Sequence, residues 1–416
     1  MSRGGRSASA ERLRTLMTIA CSDCGTVQRL PGMPRHGVAE CRRCRRLLAR
    51  AGRRSLAVSL AWSSAMLLLL IPANLLPIMS ASFRGESREA HLIDAVAALW
   101  DDRWPILALM FVAFVIVLPV VRAGLLTAVL TTIRTPHRPR WLGPAFRHAE
   151  NLRLWAMPEV MVLAGFVIFM RVDAQLAASI AWGGHCLIAV AVLRLTLGRF
   201  MDAHDVWASI MPERTEPLAG PAMSCDACDL VLPRSAEGGR CPRCRRRIRR
   251  RKPHAMAYTL ALVIASYILY VPSYYFPMSY SIQPNGIEEH TILSGVRRLL
   301  DEGFWYLAVI LFIASVMIPL LKLVGLSWLL VRVNRPAKRG LRRRTRLHRV
   351  IHRIGRWSHI DPFIVAMTAP LMSFAGVAEV HVGRAALPFA LVVTLTMLAS
   401  RSFDARLMWD ASERRA

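Results

Sequence analysis

The stretch DDRWPILALMFVAFVIVLPVVR (101–122) returns as DEGFWYLAVILFIASVMIPLLK (301–322). Each copy opens on two acids, runs apolar, carries a proline three residues before its end and closes on a cation. Asp101 matches Asp301, Pro119 matches Pro319 and Arg122 matches Lys322, all at an offset of 200. Working outward, ANLLPIMS (73–80) returns as SYYFPMSY (273–280). Trp155 matches Trp357 and Glu159 matches Asp361, now at an offset of 202, and DAHDVW (202–207) matches DARLMW (404–409). Upstream of each copy stands a paired C-x-x-C: Cys21, Cys24, Cys41 and Cys44, then Cys225, Cys228, Cys241 and Cys244. Chance does not keep so many pairs in register. The chain is an internal duplication.

The apolar runs are long enough for membrane. A transmembrane helix needs roughly 20 apolar residues, and eight segments qualify: 56–79, 104–133, 155–172, 178–200, 255–279, 304–331, 361–379 and 385–401. Several contain an internal proline (Pro72, Pro119, Pro272, Pro319 among them), which membrane helices tolerate. Each half is thus expected to be four helices. Four is even, so the halves run parallel, related by an axis near the membrane normal. The expected fold is an all-α polytopic membrane protein of eight transmembrane helices in two parallel four-helix repeats, each preceded by a small ribbon. The boundaries are ribbon 15–52, repeat 53–207, ribbon 220–252 and repeat 253–410.

Charge sets the orientation. The 416 residues carry a net +28, yet 54% are hydrophobic and the mean hydropathy is +0.35. The two coexist because charge and apolar runs alternate. The terminal segments and the loops 134–154, 201–254 and 332–360 hold 43 arginines and lysines; the loops on the other side hold 6. By the positive-inside rule both termini and both cysteine clusters are cytoplasmic. The same rule accounts for RRLLARAGRR and RRRIRRRK, each just before an apolar run, through topology and anionic headgroups. It removes the reason to invoke nucleic acid as partner. The first fifty residues are polar and basic, so no removable signal peptide is expected.

Two C-x-x-C knuckles supply four thiolates in a tetrahedron, the closed set of a structural zinc site. Thiolates stay available for metal in a reducing compartment, in agreement with the charge rule. Two Zn2+ ions per chain are expected. Cys186, alone in an apolar run, reads as a small buried hydrophobe.

Ionisable residues inside membrane segments are costly and mark functional candidates. Lys322 is the sharpest. Asp173, Glu159 and Asp361 are its candidate carboxylate partners. Ser315, seven residues earlier, falls on the same helical face, and Thr394 and Thr396 lie deep in the last helix. A buried lysine–carboxylate pair is what a proton-coupled cycle needs, since burial favours the neutral form of each partner. Arg122 holds the equivalent place in the first half but cannot give up its proton. The segments HLIDAVAAL (91–99) and TILSGVRRL (291–299) read as amphipathic helices at the outer interface.

No glycine precedes Lys252, Lys322 or Lys338, so a P-loop is excluded, and neither H-E-x-x-H nor G-x-S-x-G occurs. No enzyme is expected. The paired ribbons, N-L-L-P (74–77), the P-x-x-K of Pro319 to Lys322, W-A-M-P-E-V (155–160) and D-x-x-x-x-W in both halves resemble the paraquat-inducible protein A family over about residues 15–410. The resemblance implies a multi-pass inner-membrane protein of Gram-negative bacteria, beside a partner with mammalian-cell-entry (MCE) domains that forms a tunnel across the periplasm. It implies movement of phospholipid between the membranes, with Lys322 as the family's membrane lysine. The alternatives are a non-transporting scaffold or gate for that tunnel, and a thiol- or metal-responsive membrane protein.

Overall fold

The structure, a computed structural model, describes residues 17–30, 37–50, 55–83, 86–173, 177–212, 220–283, 286–335, 340–372 and 379–413. Each half runs in the same order. A cysteine ribbon leads into a long apolar helix (Leu56–Leu75; Ala255–Tyr275). A β-hairpin and a ten-residue amphipathic helix follow (Leu92–Asp101; Ile292–Asp301), as the outer-loop reading expected. Then come a second long helix (Pro105–Ile133; Trp305–Val333) and a connecting helix (Leu142–Leu152; Leu341–Ile354). Two more apolar helices and a short terminal helix close each half.

Among the described residues five helical stretches are long and apolar enough to cross a membrane: Leu56–Leu75, Pro105–Ile133, Ala255–Tyr275, Trp305–Val333 and Ala386–Glu413. The other three expected spans are shorter. Pro158–Asp173 has 16 residues, roughly 24 Å at 1.5 Å per residue, against about 30 Å of hydrocarbon. Ile360–Met372 has 13. The fourth segment begins late, at Trp182, because Ala177–Ile180 is a strand.

Strands correct the all-α expectation. Met79–Phe83 pairs on one side with Glu86–Ala90 and on the other with Ala177–Ile180, all antiparallel. Ser279–Gln283 does the same with Gly286–His290 and Glu379–Val382. These sheets arise from the segments after N-L-L-P and P-M-S-Y, whose backbone needs partners once the helix ends. Their exposed edges carry Glu86, Arg88 and Glu89 in one half and Glu288 and Glu289 in the other, charges that discourage further pairing. A 20-residue helix separates the first sheet from its ribbon, about 30 Å along its axis, so ribbons and sheets occupy opposite ends. Close approach anchors the sheet end. Gly183 N–H donates to Pro77 O at 2.9 Å, and a Cβ there would lie 2.4 Å from Leu76 O. Gly383 sits equally tight: its Cβ would meet Pro277 O at 2.2 Å.

Both long central helices widen to a π turn, at Val112–Val117 and Ile313–Met317. Pro119 and Pro319 follow. A proline has no N–H to donate and its ring crowds the carbonyl four residues back; the wider turn accommodates both. The extra residue rotates what precedes it by roughly 100°. Ser315 lies inside this turn, so spacing alone does not place it over Lys322.

The largest hydrophobic core lies between the halves. It joins Phe111, Phe114 and Met161 of the first to Phe363, Met367 and Phe389 of the second. The Phe111 and Phe363 rings meet edge to face at 5.6 Å.

Candidate functional site

Four knuckles shape the two cysteine clusters. In each, the residue after the second cysteine donates its N–H to the carbonyl of the first: Gly25 to Cys21, Arg45 to Cys41, Asp229 to Cys225 and Arg245 to Cys241, at 2.8–3.1 Å. All four adopt positive φ: 75° at Gly25 and 56–58° at Arg45, Asp229 and Arg245. Three non-glycines thus accept a conformation that side chains disfavour, so the turn itself is required. It brings the sulfurs together: Cys21 and Cys44 at 3.4 Å, Cys24 and Cys41 at 3.6 Å, Cys225 and Cys244 at 3.5 Å, Cys228 and Cys241 at 3.6 Å. Within each cluster every ligand atom lies within 4.8 Å of the others, and all eight cysteines are buried. Four thiolates about 2.3 Å from one ion would stand roughly 3.8 Å apart. Both clusters can hold a metal ion.

The ribbons dock crosswise. The first ribbon precedes the first repeat but packs on the second. Trp409 shares a buried cluster with its four cysteines, Arg349 donates to Cys44 O at 3.0 Å and Arg406 donates to Ser22 O at 3.0 Å. The second ribbon packs on the first repeat, against Phe146 and Trp207, and Arg147 donates to Cys244 O at 3.0 Å.

Two clusters of buried charge lie between these ends. In the first half Glu159, 4% exposed, accepts from Arg194 and, at 2.9 Å, from Arg356 of the second half. Arg194 also donates to Arg153 O at 2.6 Å. Arg122 is buried and its Nε has no partner among the described residues. In the second half Lys322, 1% exposed, donates to Gly355 O at 3.3 Å and Val393 O at 3.5 Å. His359, equally buried, stands beside it, with Nε2 3.4 Å from Thr394 Oγ1 and the Phe114 ring of the first half edge-on at 5.4 Å. Asp361 is buried and its Oδ2 is unpartnered among the described residues. Ser315 borders it, and the Tyr274 hydroxyl donates to Ser315 O at 2.5 Å.

These positions bear on the sequence reading as follows. Glu159 is taken by two arginines, and among the described residues no carboxylate pairs with Lys322. Asp173 ends its helix, but its side chain lies outside the described residues. Thr394 joins the polar group through His359; Thr396 turns back to Val392 O and Val393 O of its own helix. Sequence reasoning missed Arg194, Arg356, His359 and Tyr274. Arg194 was available to it, since the rule that singles out Lys322 applies equally inside 178–200.

At the repeat offsets, Arg122 answers to Lys322, Glu159 to Asp361 and Arg194 to Thr396. The second half thus has a threonine where the first has the arginine that holds the carboxylate.

One family model, described as Paraquat-inducible protein A, matches the chain twice, over residues 56–211 and 256–413. The chain belongs to the paraquat-inducible protein A family. It is 30% identical over 403 residues to the intermembrane transport protein PqiA of Escherichia coli (strain K12), covering 94% of this chain and 95% of that protein. It is 28% identical over 395 residues to the lipophilic envelope-spanning tunnel protein A of the same organism, covering 94% and 91%. A probable intermembrane transport protein of Haemophilus influenzae (strain ATCC 51907 / DSM 11121 / KW20 / Rd) is 25% identical over 405 residues, covering 95% and 96%. No solved structure matches. The family's double match falls on the two halves that carry the paired charge clusters, and with five apolar helices the chain is a multi-pass membrane protein.

Proposed function

We propose that the chain moves phospholipid between the membranes of a two-membrane envelope, working beside an MCE-domain tunnel protein. It would sit in the inner membrane as two parallel four-helix repeats (53–207 and 253–410), each headed by a cytoplasmic zinc ribbon (15–52 and 220–252), with both termini cytoplasmic. The relatives' names, intermembrane transport and envelope-spanning tunnel, support the transport reading. A zinc ion in each cluster would be structural, because four thiolates leave no open position.

The observation that carries the reading is the inequality of the two charge clusters. Glu159 is held by two arginines, whereas among the described residues Lys322 donates only to carbonyls and Asp361 keeps an unpartnered oxygen. Burying ionisable groups without partners is expensive, and a cost of that kind is met where groups exchange protons. In this reading the first half is the fixed frame. Lys322, His359 and Asp361, with Ser315, Thr394 and Tyr274 around them, form the working half. Proton binding and release there would drive the repeats between conformations that admit and release lipid. Reconstituted transfer of labelled phospholipid to the MCE partner tests it: Lys322→Ala abolishes transfer, and an unchanged rate sinks the assigned role.

A second reading has one observation in its favour. The cavity at the repeat seam, lined by Leu99, Phe114, His359 and Phe363 among others, has only about 10 Å³. That holds a water molecule at most. A non-transporting anchor for the tunnel would look the same. Assembly that survives Lys322→Ala together with intact transfer would favour the anchor.

A further inference from the structure

We infer that the seam between the second ribbon and the first repeat binds the phosphate of an anionic lipid headgroup. A cavity of about 780 Å³ opens there, within the size range of small-ligand clefts. Arg147 and Asn151 of the Leu142–Leu152 helix form one wall, and Arg240, Arg245, Arg246 and Arg247 of the ribbon form the other. Among the described residues no acidic one lines it. A second cavity of about 470 Å³ shares Asn151 and Arg246 and adds Arg249, Lys252 and Arg401, with Asp226 as its one acid among the described residues. The two cavities thus meet the same residue pair.

Topology alone does not ask for this arrangement. The positive-inside rule places cations on one side of a membrane but does not make them converge. Elsewhere on the ribbon end arginines are matched: Arg43 with Glu413 at 2.6 Å, Arg349 with Asp23 at 3.2 Å and Arg251 with Asp410 at 2.5 Å. At the seam Arg240, Arg245, Arg247, Arg249 and Arg401 have no carboxylate partner among the described residues; Asp226 pairs with Arg246 at 3.0 Å and lies near Lys252. Arg401 is instead held by Asn151, with Nη2 donating to Oδ1 at 2.6 Å and Nη1 to the carbonyl at 3.3 Å. That grip fixes a guanidinium without neutralising it. Planar guanidinium forks match phosphate oxygens in pairs, more strongly than neutral donors do.

A lipid fits better than free phosphate because the second cavity has an apolar side. Ala255, Tyr258 and Leu398 line it. Tyr258 begins the apolar Ala255–Tyr275 helix, which exposes Leu260, Ile264 and Ile268 along its length. Acyl chains can follow that helix while the phosphate stays among the arginines. The site lies at the ribbon end, away from the Lys322 cluster, and does not rest on the transport reading.

The test uses the full-length protein, purified from detergent with an equimolar mixture of phosphatidylglycerol and phosphatidylcholine, and native mass spectrometry of retained lipid. Wild type should retain phosphatidylglycerol over phosphatidylcholine. The triple variant R240Q/R245Q/R247Q should lose at least about tenfold of that preference, the scale of one missing charge-assisted contact. R343Q/R346Q/R353Q removes the same charge from exposed positions of the Leu341–Ile354 helix and should keep the preference. Unchanged metal content and gel-filtration profile certify the fold of both variants. A parallel arm measures binding of radiolabelled inorganic phosphate in phosphatidylcholine nanodiscs. Equal loss in the two variants, no preference in wild type, or phosphate binding without lipid preference would each overturn the inference.

Discussion

Arg356 of the second repeat donates to Glu159 of the first at 2.9 Å, in a place where both side chains are largely withdrawn from solvent. Together with Arg194 it makes the first cluster a structural tie between halves. Deleting one member of a buried ion pair leaves its partner charged and unpaired, a loss of about 3–5 kcal/mol. Glu159→Ala should therefore lower the thermal midpoint in detergent markedly. Asp361→Asn, at the equivalent position, removes a charge that no ion pair holds among the described residues and should leave the midpoint nearly unchanged or raised. Differential scanning fluorimetry on both variants decides it. Equal destabilisation would end the distinction between a fixed half and a working half.

At the opposite end Asp102 of the first half caps the edge strand of the second. Its Oδ1 lies 2.8 Å from His381 Nδ1 and its Oδ2 accepts from Val382 N–H at 2.8 Å. The hydrogen bond to Asp102 holds the His381 imidazole above its ordinary pKa, and Glu379, at 3.7 Å, adds to this. A raised pKa gives stability that is fully present below the unfolded value of about 6.5 and fades as pH rises through the folded one. The midpoint difference between wild type and His381→Gln should be largest in acid and shrink toward zero in alkaline buffer. Asp102→Asn should flatten that profile. A difference that grows with pH would contradict the bridge.

Gly143 reports on ribbon docking. A Cβ there would lie 1.8 Å from Arg243 O, a backbone atom of the second ribbon. The ribbon must move for any side chain to fit. Gly143→Ala should raise hydrogen exchange across 222–248 and in the Leu142–Leu152 helix. Gly165→Ala, where a Cβ meets nothing within 4 Å, should be neutral or slightly stabilising through the unfolded chain. Matching exchange in the two variants would show that the ribbon does not seat on Gly143.

Much of this was legible in the sequence because it repeats. Matched pairs such as Pro119 and Pro319 gave two halves, and C-x-x-C spacing gave both clusters. Three things lay outside its reach. The strands at 177–180 (AASI) and 379–382 (EVHV) are four residues each beside longer apolar runs, too short for periodicity to separate them from helix ends. The π turns are one-residue insertions with no composition of their own, so Ser315 was assigned a face from ideal helical spacing. Contacts between halves are the third. Nothing local to Glu159 announces Arg356, and nothing in Cys21 to Cys44 announces Trp409, more than 360 residues away in the chain. Arg194 differs: a cation inside an apolar run is legible from sequence by the rule that singles out Lys322.

Crosswise docking gives metal removal a distinctive signature. A cysteine ribbon this small has little core of its own, and a metal held by its four cysteines would supply folding free energy. If each ribbon braced its own repeat, losing one metal would loosen that repeat alone. Here the first ribbon is held by Trp409, Arg349 and Arg406 of the second repeat, and the second by Phe146, Trp207 and Arg147 of the first. Cys21→Ser with Cys24→Ser should therefore raise exchange in the helices Leu341–Ile354 and Arg406–Glu413. It should spare Leu142–Leu152. Cys225→Ser with Cys228→Ser should do the reverse, loosening Leu142–Leu152 and Ala203–Ile210. Elemental analysis should find two zinc ions in wild type and one in each double variant. Exchange confined to the repeat that follows each mutated ribbon would refute the crossed brace, and metal content unchanged by either variant would refute the cysteine ligand sets.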